Sequence, residues 1–421
     1  MKKKILVRGP VLSQTGYGVQ SRFALRSLRH FEDSRFDIYI IPVGWGRSSW
    51  ISEDTEERRW IDERIRQTGI YANEGGQFDI SLQITIPHEW ERMAPINIGY
   101  TAGVETTRVS ALWLEKCNMM DRIIAISNHT KWGLENSSYT GTDPKTNSPI
   151  NLSCVTPIDV VNYPVRVYEP AKLDIQLKYN FNYLLVAQWG PRKNLENTIR
   201  WFIEENYDQE VGLIIKTFSM KNCLMDKNYT ISRLTNLLNE YREGERKCKI
   251  YLLHGDMTNE EMTGLYRHSK IKALISLSHG EGFGLPIFEA AYNELPVITS
   301  DWGGQCDFLY APDKGRNKKA MFAKVKYNIA PIQEEVLWEN VLIEGAQWCY
   351  PDAGSFKMRL REVRNNHKKY KSMAKKLYKH VNVEFAPEKQ YEKFANSICG
   401  PEFLEMESWL SELENSEQAF E

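Results

Sequence analysis

The segment that decides the fold spans residues 278–309 and reads SHGEGFGLPIFEAAYNELPVITSDWGGQCDFL. An apolar run leads into three glycines at alternate positions, Gly280, Gly282 and Gly284. Pro286 suits the first turn of a helix, where its missing N–H removes no hydrogen bond. The pattern predicts a buried strand, a glycine loop and a helix. The free N–H groups and dipole at the amino end of that helix can hold a diphosphate.

Two glutamates flank the start of the predicted helix. Glu281 precedes the helix, and Glu289 follows eight positions later, just inside it. We therefore expect the two carboxylates at different depths of one pocket. One is suited to accept hydrogen bonds from sugar hydroxyls and the other from ribose hydroxyls.

The order E-G-F-G-L-P-x-x-E, followed by L-P-V-I and D-W-G-G-Q-x-D-F-L, closely resembles glycosyltransferase family 4, the glycosyl transferases of group 1. Enzymes of that family are retaining and have the GT-B fold. The resemblance implies an α/β fold of two Rossmann-like parallel-sheet domains that face each other across a cleft. It also implies that the last helix crosses back to the N-terminal domain.

The resemblance assigns roles to the residues of this segment. Glu281 is expected to contact the donor sugar, and Glu289 the ribose. Gly282 belongs to the glycine loop, and the backbone from Phe283 through Gly284 to Leu285 is expected to hold the diphosphate. His279 is a candidate donor contact or a hydrogen-bonded structural residue. Gly303 and Gly304 form either a neighbouring ligand loop or a plain turn.

A second loop, QWGPRKNLENTI (188–199), lies between a predicted strand and helix. Arg192 and Lys193 precede Asn194, which is predicted to cap the helix. A departing nucleoside diphosphate gains negative charge in the transition state, and two fixed cations can stabilise that charge. The family has an Arg and a Lys here for that purpose. Lys193 matches the Lys, whereas the family's Arg often lies several positions earlier, where this chain has Ala187 and Gln188. Arg192 is our candidate to replace that Arg; a solvated surface pair is the alternative.

The first loop, SQTGYGVQSR (13–22), contains Gly16 and Gly18 ahead of a helix predicted over residues 22–31. Their N–H groups are candidates for contact with phosphate or sugar across the cleft. A glycine pair of this kind is common in plain turns. The resemblance favours the binding role, because the family has a glycine loop here.

The stretch from residue 99 to residue 134 also resembles members of the family. It contains E-T-x-R-V before a helix with W-x-x-x-C-N-x-M-D and a strand that ends at Ser127. Glu105 and Arg108 are expected at the carboxyl end of a strand, where α/β folds bind ligands. Glu105 is our candidate for a group near the reacting centre; a structural ion pair is the alternative.

Alternating apolar runs and helical stretches predict two consecutive α/β units. We predict an N-terminal, acceptor-side domain over residues 1–168 and a C-terminal, donor-side domain over residues 169–385. Residues 386–421 are predicted to form the crossing helix and an acidic tail. The polar segment 138–152 is predicted to be a surface loop.

Composition excludes several classes of protein. The formal net charge is −1, so the whole chain does not attract polyanions at long range. The seven cysteines are scattered and never spaced as C-x-x-C, which argues against a disulfide framework or a thiolate zinc site. No leader or spanning segment is apparent, and we expect a cytoplasmic protein. No D-x-D or H-E-x-x-H element is present, so we predict a metal-independent, front-face mechanism without cofactors.

The expected donor is a nucleotide-diphosphate sugar, and the acceptor stays open between a glycan, a lipid-linked molecule and nucleic acid. Residues 357–380 hold ten Lys or Arg and one Glu, whereas residues 401–421 hold seven Glu and no Lys or Arg. The basic stretch is either a contact for an anionic surface or a solvated helix face. Alternative functions are a phage-type transferase acting on DNA bases, an inactive sugar-nucleotide-binding module, a GT-B phosphorylase and a nucleotide-sugar epimerase.

Overall fold

The computed structural model describes residues 2–46, 49–142, 147–241, 246–313, 315 and 317–400, and the predicted acidic tail 401–421 lies outside these residues. The N-terminal domain contains, in chain order, β1 (Lys3–Gly9), α1 (Gly16–His30), β2 (Phe36–Pro42), α2 (Glu56–Asn73), β3 (Ile80–Gln83), β4 (Ile96–Thr101), α3 (Ala111–Cys117), β5 (Arg122–Ala125), α4 (Asn128–Glu135), β6 (Ser138–Thr142), β7 (Pro149–Ser153) and β8 (Ile158–Val160).

The C-terminal domain and the helices after it contain β9 (Asn182–Val186), α5 (Leu195–Asn206), β10 (Gly212–Thr217), α6 (Leu224–Asn239), β11 (Lys249–His254), α7 (Asn259–Tyr266), β12 (Ile271–Ser276), α8 (Leu285–Tyr292), β13 (Val297–Ser300), β14 (Tyr310–Pro312), β15 (Lys318–Ala320), β16 (Ala323–Val325), β17 (Tyr327–Pro331), β18 (Gln347–Pro351), α9 (Ala353–Asn365), α10 (His367–Glu384) and α11 (Pro387–Cys399).

Each domain is built on a parallel sheet of six strands in the described part of the chain. The N-terminal order is β2-β1-β3-β4-β5-β8, and the C-terminal order is β11-β10-β9-β12-β13-β16. The apolar strands are buried on both faces, as parallel sheets covered by helices require. The prediction of two Rossmann-like domains with the GT-B arrangement is confirmed.

Strand order determines where a ligand can bind. In the C-terminal sheet, β9 lies between β10 and β12, and both pairings are parallel. The connections that leave β9 and β12 therefore start from adjacent strands at the same edge of the sheet. Open α/β sheets bind ligands at such a carboxyl edge. The two loops predicted to carry the donor site, residues 187–194 and 277–284, both follow these strands.

The prediction of a surface loop over residues 138–152 is wrong in part. β6 and β7 pair antiparallel there, with Ser138 opposite Ser153 and Thr142 opposite Pro149. The side chains of this hairpin are largely exposed, so little apolar periodicity marked it as strand. Tyr139 anchors the hairpin by donating a hydrogen bond of 2.5 Å from its hydroxyl to the carbonyl oxygen of Val109.

The connection between the domains has neither helix nor strand from residue 161 to residue 181. The predicted boundary at residues 168 and 169 falls inside it. At the other end of the chain, α11 leaves the C-terminal domain and packs against α1 of the N-terminal domain. The ring of Phe394 lies 5.4 Å from that of Phe23 and 5.1 Å from that of Tyr100. The predicted crossing helix is confirmed.

A second connection between the domains comes from an insertion in the C-terminal domain. We call residues 327–351, which include the antiparallel pair β17 and β18, the arm. Thr107 donates its backbone N–H to the carbonyl oxygen of Gln347 at 2.8 Å, and Gln347 N–H donates to Thr107 Oγ1 at 3.0 Å. Ser110 Oγ donates to the carbonyl oxygen of Asn340. The arm thus fixes the loop that carries Glu105.

None of the helices in the described residues combines the length and apolarity needed to cross a membrane.

The docking of α11 yields a stability prediction. Phe394 is fully buried between α11 and the N-terminal domain, so Phe394→Ala removes a large apolar side chain and leaves a cavity. We expect a loss of about 3–4 kcal/mol in the free energy of unfolding, measured by urea denaturation. Glu392→Ala, an exposed change on the same helix, is the control. A loss in Phe394→Ala no larger than in the control would contradict the packing described.

Candidate active site

Four charged side chains from three loops meet between the two domains. Lys193 Nζ lies 2.6 Å and 2.7 Å from the two carboxylate oxygens of Glu281. Arg192 Nη1 lies 3.5 Å from Glu281 Oε2 and 3.0 Å from Glu105 Oε1. We call these residues the charged cluster. Because Glu105 belongs to the N-terminal domain, the cluster joins the loops after β4, β9 and β12.

The ionisation of the charged cluster depends on the balance between burial and the neighbouring charges. The Glu281 side chain is 9% exposed, and Lys193 is 19% exposed. Burial opposes ionisation of Glu281, but the charges of Lys193 and Arg192 outweigh it and hold the pKa of Glu281 below its usual value. Burial, together with the neighbouring guanidinium of Arg192, lowers the pKa of Lys193. Glu281 is therefore an ionised carboxylate at neutral pH.

The loop that carries the two cations is fixed by its backbone. Residues Pro191–Lys193 form one turn of 3₁₀ helix, and Asn194 follows in the left-handed conformation with φ of 53°. Asn194 occupies the N-cap position of α5, but its side chain does not form the predicted capping hydrogen bond. The Asn194 side chain donates to the carbonyl oxygen of Leu277 at 3.2 Å instead of capping α5. Its amide thereby ties the 187–194 loop to the 277–284 loop.

The glycine loop leads into α8 as predicted. Gly284 has φ of 89°, a conformation that side chains disfavour, and α8 begins at Leu285 with Pro286 in its first turn. The first N–H groups of α8 have no carbonyl one turn earlier to bond. Ser127 Oγ donates to the carbonyl oxygen of Gly282 at 2.6 Å. This hydrogen bond holds the N-terminal domain against the glycine loop.

The other parts of the 278–309 segment support the loop from behind. Gly304 N–H donates to the carbonyl oxygen of Glu281 at 2.7 Å, so the Gly303–Gly304 turn packs directly on it. The ring of Phe283 is 2% exposed and lies 5.1 Å from the ring of Tyr163. Phe283 thus contributes its side chain to the core and only its backbone to the site.

Glu289 lies on α8, away from the charged cluster. Its Oε2 accepts a hydrogen bond of 2.7 Å from the hydroxyl of Tyr266. Burial raises the pKa of Glu289, and the more distant charges of Arg166 and Lys216 counteract that effect only in part. The two predicted glutamates therefore occupy different environments on either side of the amino end of α8.

A cavity of about 440 Å³ opens between the domains at the amino end of α8. The N-terminal wall includes Gly16 and Trp45, and the C-terminal wall includes Gln188, Lys216 and Pro286. We call this the cleft cavity. Its size suits a small-molecule ligand. None of the four residues of the charged cluster lines this cavity, although Gln188 belongs to the same loop as Arg192 and Lys193.

Lys216 is a cation of the cleft that the sequence analysis missed. It is the last but one residue of β10 and lines the cleft cavity. Burial lowers its pKa, while Asp256 and Glu289 counteract this effect. The signal was present in the sequence, because a polar residue at the end of an apolar parallel strand lies at the ligand-binding edge.

The two glycines of the first loop differ from the prediction. α1 begins at Gly16, so both glycines lie in its first turn rather than ahead of it. Thr15 caps this helix by accepting a hydrogen bond from Gly18 N–H at 3.3 Å. A Cβ at Gly18 would lie 1.8 Å from the carbonyl oxygen of Ser13. Gly18 is needed for the turn itself, whereas Gly16 lines the cleft cavity.

His279 is held by the arm. Its Nδ1 lies 2.6 Å from the carbonyl oxygen of Cys349, and its ring stacks on Trp348 at a centroid distance of 4.7 Å. The residue is 3% exposed, and burial lowers its pKa. His279 therefore connects the glycine loop to the arm, and through the arm to the loop of Glu105.

A buried pair shapes the wall of the cleft cavity. His254 Nε2 lies 2.8 Å from Asp226 Oδ2, and both side chains are no more than 5% exposed. Asp226 also accepts the backbone N–H groups of Ser219 and Met220 at 2.9 Å each. The pair therefore fixes the start of the 219–222 segment, which borders the cavity.

The predicted basic stretch, residues 357–380, covers most of α9 and the first part of α10. Many of its cations pair with carboxylates nearby on the surface. Examples are Lys357 with Glu204 at 2.5 Å and Lys376 with Asp313 at 2.6 Å. These pairs reduce the positive charge that the stretch presents to solvent.

Comparison with known proteins supports the fold and the family resemblance of the C-terminal domain. Residues 232–318, which contain the glycine loop and both predicted glutamates, match the family model for glycosyl transferases group 1. A serotype-specific mannosyltransferase of Escherichia coli, WbdA, is 30% identical over 123 residues. That match covers 28% of this chain and 13% of the relative, so the chain spans a small part of the length of the curated relatives it matches.

Several solved structures share the whole fold. HepE of Anabaena, in complex with UDP and glucose, superposes with a TM-score of 0.57 at 11% identity, over 94% of this chain and 99% of that one. Sucrose-phosphate synthase from Thermosynechococcus elongatus gives 0.59 at 13% identity, over 99% of this chain and 100% of that one. A lipopolysaccharide outer core galactosyltransferase, WaaB, gives 0.52 at 14% identity, over 94% and 99%.

Two Rossmann-like domains, each built on a parallel six-stranded sheet, and the match to these solved structures over nearly the whole chain give this protein the GT-B fold. The C-terminal domain is similar to the glycosyl transferases group 1 over residues 232–318. The resemblance predicted from residues 278–309 is confirmed at this level.

The charged cluster yields a pH-dependent stability prediction. In the parent chain the depressed pKa of Glu281 stabilises the fold above the ordinary carboxyl pKa, and this contribution is lost as pH falls. Lys193→Met leaves a buried carboxylate short of charge compensation. We expect a loss of about 3 kcal/mol near neutral pH. The loss should shrink towards about pH 5, because burial then raises the pKa of Glu281 and the carboxyl protonates.

Urea denaturation of both proteins at the two pH values measures this difference. Lys227→Met, which removes an exposed lysine on α6, is the control and should show no such pH dependence. A loss in Lys193→Met that stays constant with pH would show that Glu281 does not titrate as described.

Proposed function

We propose that this chain is a retaining glycosyltransferase that moves a sugar from a nucleoside-diphosphate sugar to an acceptor hydroxyl without a metal ion. The observation that carries the proposal is the charged cluster beside the glycine loop of α8. It combines one ionised carboxylate, suited to sugar hydroxyls, with two cations, suited to a leaving diphosphate. The match of this segment to the glycosyl transferases group 1 supports the assignment.

The proposed donor lies in the cleft cavity with its diphosphate at the amino end of α8. Free N–H groups and the helix dipole favour an anion there. Lys216, which lines the same cavity, adds a cation on the C-terminal wall. The structural neighbours include complexes with UDP and glucose and with UDP-2-fluoro glucose, which supports a nucleotide-sugar donor for this fold.

The proposed roles follow from the positions of the residues. Glu281 accepts hydrogen bonds from hydroxyls of the donor sugar, and Glu289 from the ribose. Lys193 and Arg192 stabilise the charge that develops on the departing diphosphate, a role in which fixed cations are most effective when shielded from water. Glu105 approaches Arg192 from the N-terminal domain at 3.0 Å, so closure of the cleft helps to hold that guanidinium in place.

The geometry favours attack from the front face over a covalent intermediate on the enzyme. Glu281 is bonded to Lys193 through both oxygens, which makes its carboxylate a poor nucleophile. In the proposed step the bond between the anomeric carbon and the phosphate oxygen breaks. The acceptor oxygen then bonds to that carbon on the same face, and its proton passes to a departing phosphate oxygen. The configuration at the anomeric carbon is retained.

The first experiment identifies the donor by thermal shift and then measures nucleotide release from that donor. Thermal shift with UDP-, GDP-, ADP- and dTDP-sugars identifies the donor, because a ligand that binds the folded state raises the melting temperature. With that donor, we expect Glu281→Gln and Lys193→Ala each to lower kcat by roughly 100-fold or more. Lys227→Ala is the control for an exposed charge. Full turnover in both site variants would contradict the proposed roles.

The same assay separates the alternative functions. If the donor binds but no acceptor causes nucleotide release, the chain is an inactive binding module. Stimulation of release by DNA would identify the acceptor as a nucleic acid. Release of a sugar phosphate on addition of inorganic phosphate would indicate a phosphorylase. Conversion of the donor into a nucleotide that carries a different sugar would indicate an epimerase.

A second prediction concerns the mechanism. Because protein cations and α8 neutralise the leaving group, turnover should continue at an unchanged rate in excess EDTA. The product should keep the anomeric configuration of the donor when examined by NMR. Loss of activity in EDTA that Mn²⁺ restores would contradict metal independence, and an inverted product would contradict front-face attack.

We also propose a cytoplasmic location for this activity. All seven cysteines, which lie in the described residues, are free thiols.

A further inference from the structure

A second cavity, of about 420 Å³, lies at the edge of the C-terminal sheet opposite the donor site. Ile271 and Pro296, at the amino ends of β12 and β13, form its floor, and the beginning of α10 covers it. The donor loops leave the carboxyl ends of the strands in the same sheet. The two cavities are therefore separated by the length of the sheet. We call this one the rear cavity.

The lining of the rear cavity carries an excess of positive charge. Arg267, Lys272 and Lys371 come from three different segments, and Glu294 is the only carboxylate residue that lines the cavity. Lys371 Nζ lies 3.5 Å from Glu294 Oε2. One carboxylate therefore faces three permanent cations.

The cations of the rear cavity bond mainly to neutral oxygens. Arg267 Nε donates to Asn293 Oδ1 at 2.8 Å, and Lys272 Nζ to the carbonyl oxygen of Ser269 at 2.6 Å. Lys371 Nζ donates to the carbonyl oxygen of Glu294 at 2.8 Å. A carbonyl oxygen orients an ammonium or guanidinium group without neutralising it. The charges of Arg267 and Lys272 therefore remain available to an anion, and only Lys371 also lies near a carboxylate, that of Glu294.

Two imidazoles complete the wall. His367 Nε2 lies 3.2 Å from the carbonyl oxygen of Lys272, and His268 Nδ1 accepts the backbone N–H of Lys270 at 3.1 Å. Burial lowers the pKa of both residues. They therefore act at neutral pH as uncharged hydrogen-bonding groups beside the three cations.

We propose that the rear cavity is a binding site for a small phosphorylated anion, separate from the donor site. Arg and Lys side chains that converge from several segments match the charge and the several acceptor oxygens of phosphate groups. The volume lies in the range of small-molecule sites. The three cations are not part of the proposed catalytic machinery, so this inference stands whether or not the proposed function is correct.

The test compares three forms of the full chain: the parent, Arg267→Gln with Lys371→Gln, and a matched control, Lys379→Gln with Lys393→Gln. The control removes two exposed lysines that line neither of the cavities described. Binding of inorganic pyrophosphate is measured by isothermal titration calorimetry at fixed ionic strength. Thermal unfolding checks that all three proteins are folded.

Pyrophosphate also has a potential site in the cleft, which is the same in all three proteins, so the difference between them reports on the rear cavity. We expect the parent and the control to show a binding event that is about tenfold weaker or lost in Arg267→Gln with Lys371→Gln, which lacks two charge-assisted donors. Nucleotide release from the donor should be unchanged. Equal pyrophosphate binding in all three proteins would exclude a site for a free phosphorylated anion, and the lipid measurement below then tests the remaining source of phosphate.

A second measurement distinguishes a free phosphate from a lipid headgroup. The three proteins are sedimented with vesicles of phosphatidylcholine alone or with added phosphatidylinositol phosphate. Retention on the phosphorylated vesicles that depends on Arg267 and Lys371 would support the site and assign its phosphate to a lipid. Identical behaviour of all three proteins in both measurements would overturn the proposal.

Discussion

The carboxylate of Glu281 is buried between the two domains, and this burial constrains the rest of the site. A buried carboxylate stays ionised only where cations compensate for lost solvation. Lys193 and Arg192 provide that compensation, and both come from the loop after the neighbouring strand β9. The parallel order of β9 and β12 makes this possible, because it brings the ends of both strands to one edge. The fold and the electrostatics of the site are therefore parts of the same arrangement.

The constraint extends across the cleft. Arg192 also contacts Glu105 of the N-terminal domain, and Ser127 donates to the glycine loop from the same side. The arm adds a further connection, because it bonds to Thr107 on one side and to His279 on the other. Together with the crossing helix α11, these contacts connect the two domains around the loops that carry the charged cluster.

Much of this arrangement could be predicted from sequence, because local patterns carry it. The glycine loop, the proline in the first turn of α8 and the apolar parallel strands are each determined within a few residues. The charged residues at the strand ends could also be located, since the topology requires adjacent strands to deliver their loops to one edge. What the sequence could not give is the partner of each side chain. Asn194 bonds to Leu277 rather than capping its helix, and Gly18 is needed for its own turn. The exposed hairpin of β6 and β7 was missed because it buries little apolar surface. The sequence analysis missed Lys216 because this residue lies near the end of β10 and belongs to no motif.

The most direct test of the account is a crystal structure with the nucleotide diphosphate that the donor screen selects. The account predicts that the distal phosphate lies within hydrogen-bond distance of the backbone N–H groups at Gly284 and Leu285, with Lys193 as its nearest cation. It also predicts that Glu289 faces the ribose. Phosphates bound away from the amino end of α8, with the charged cluster unchanged, would contradict it.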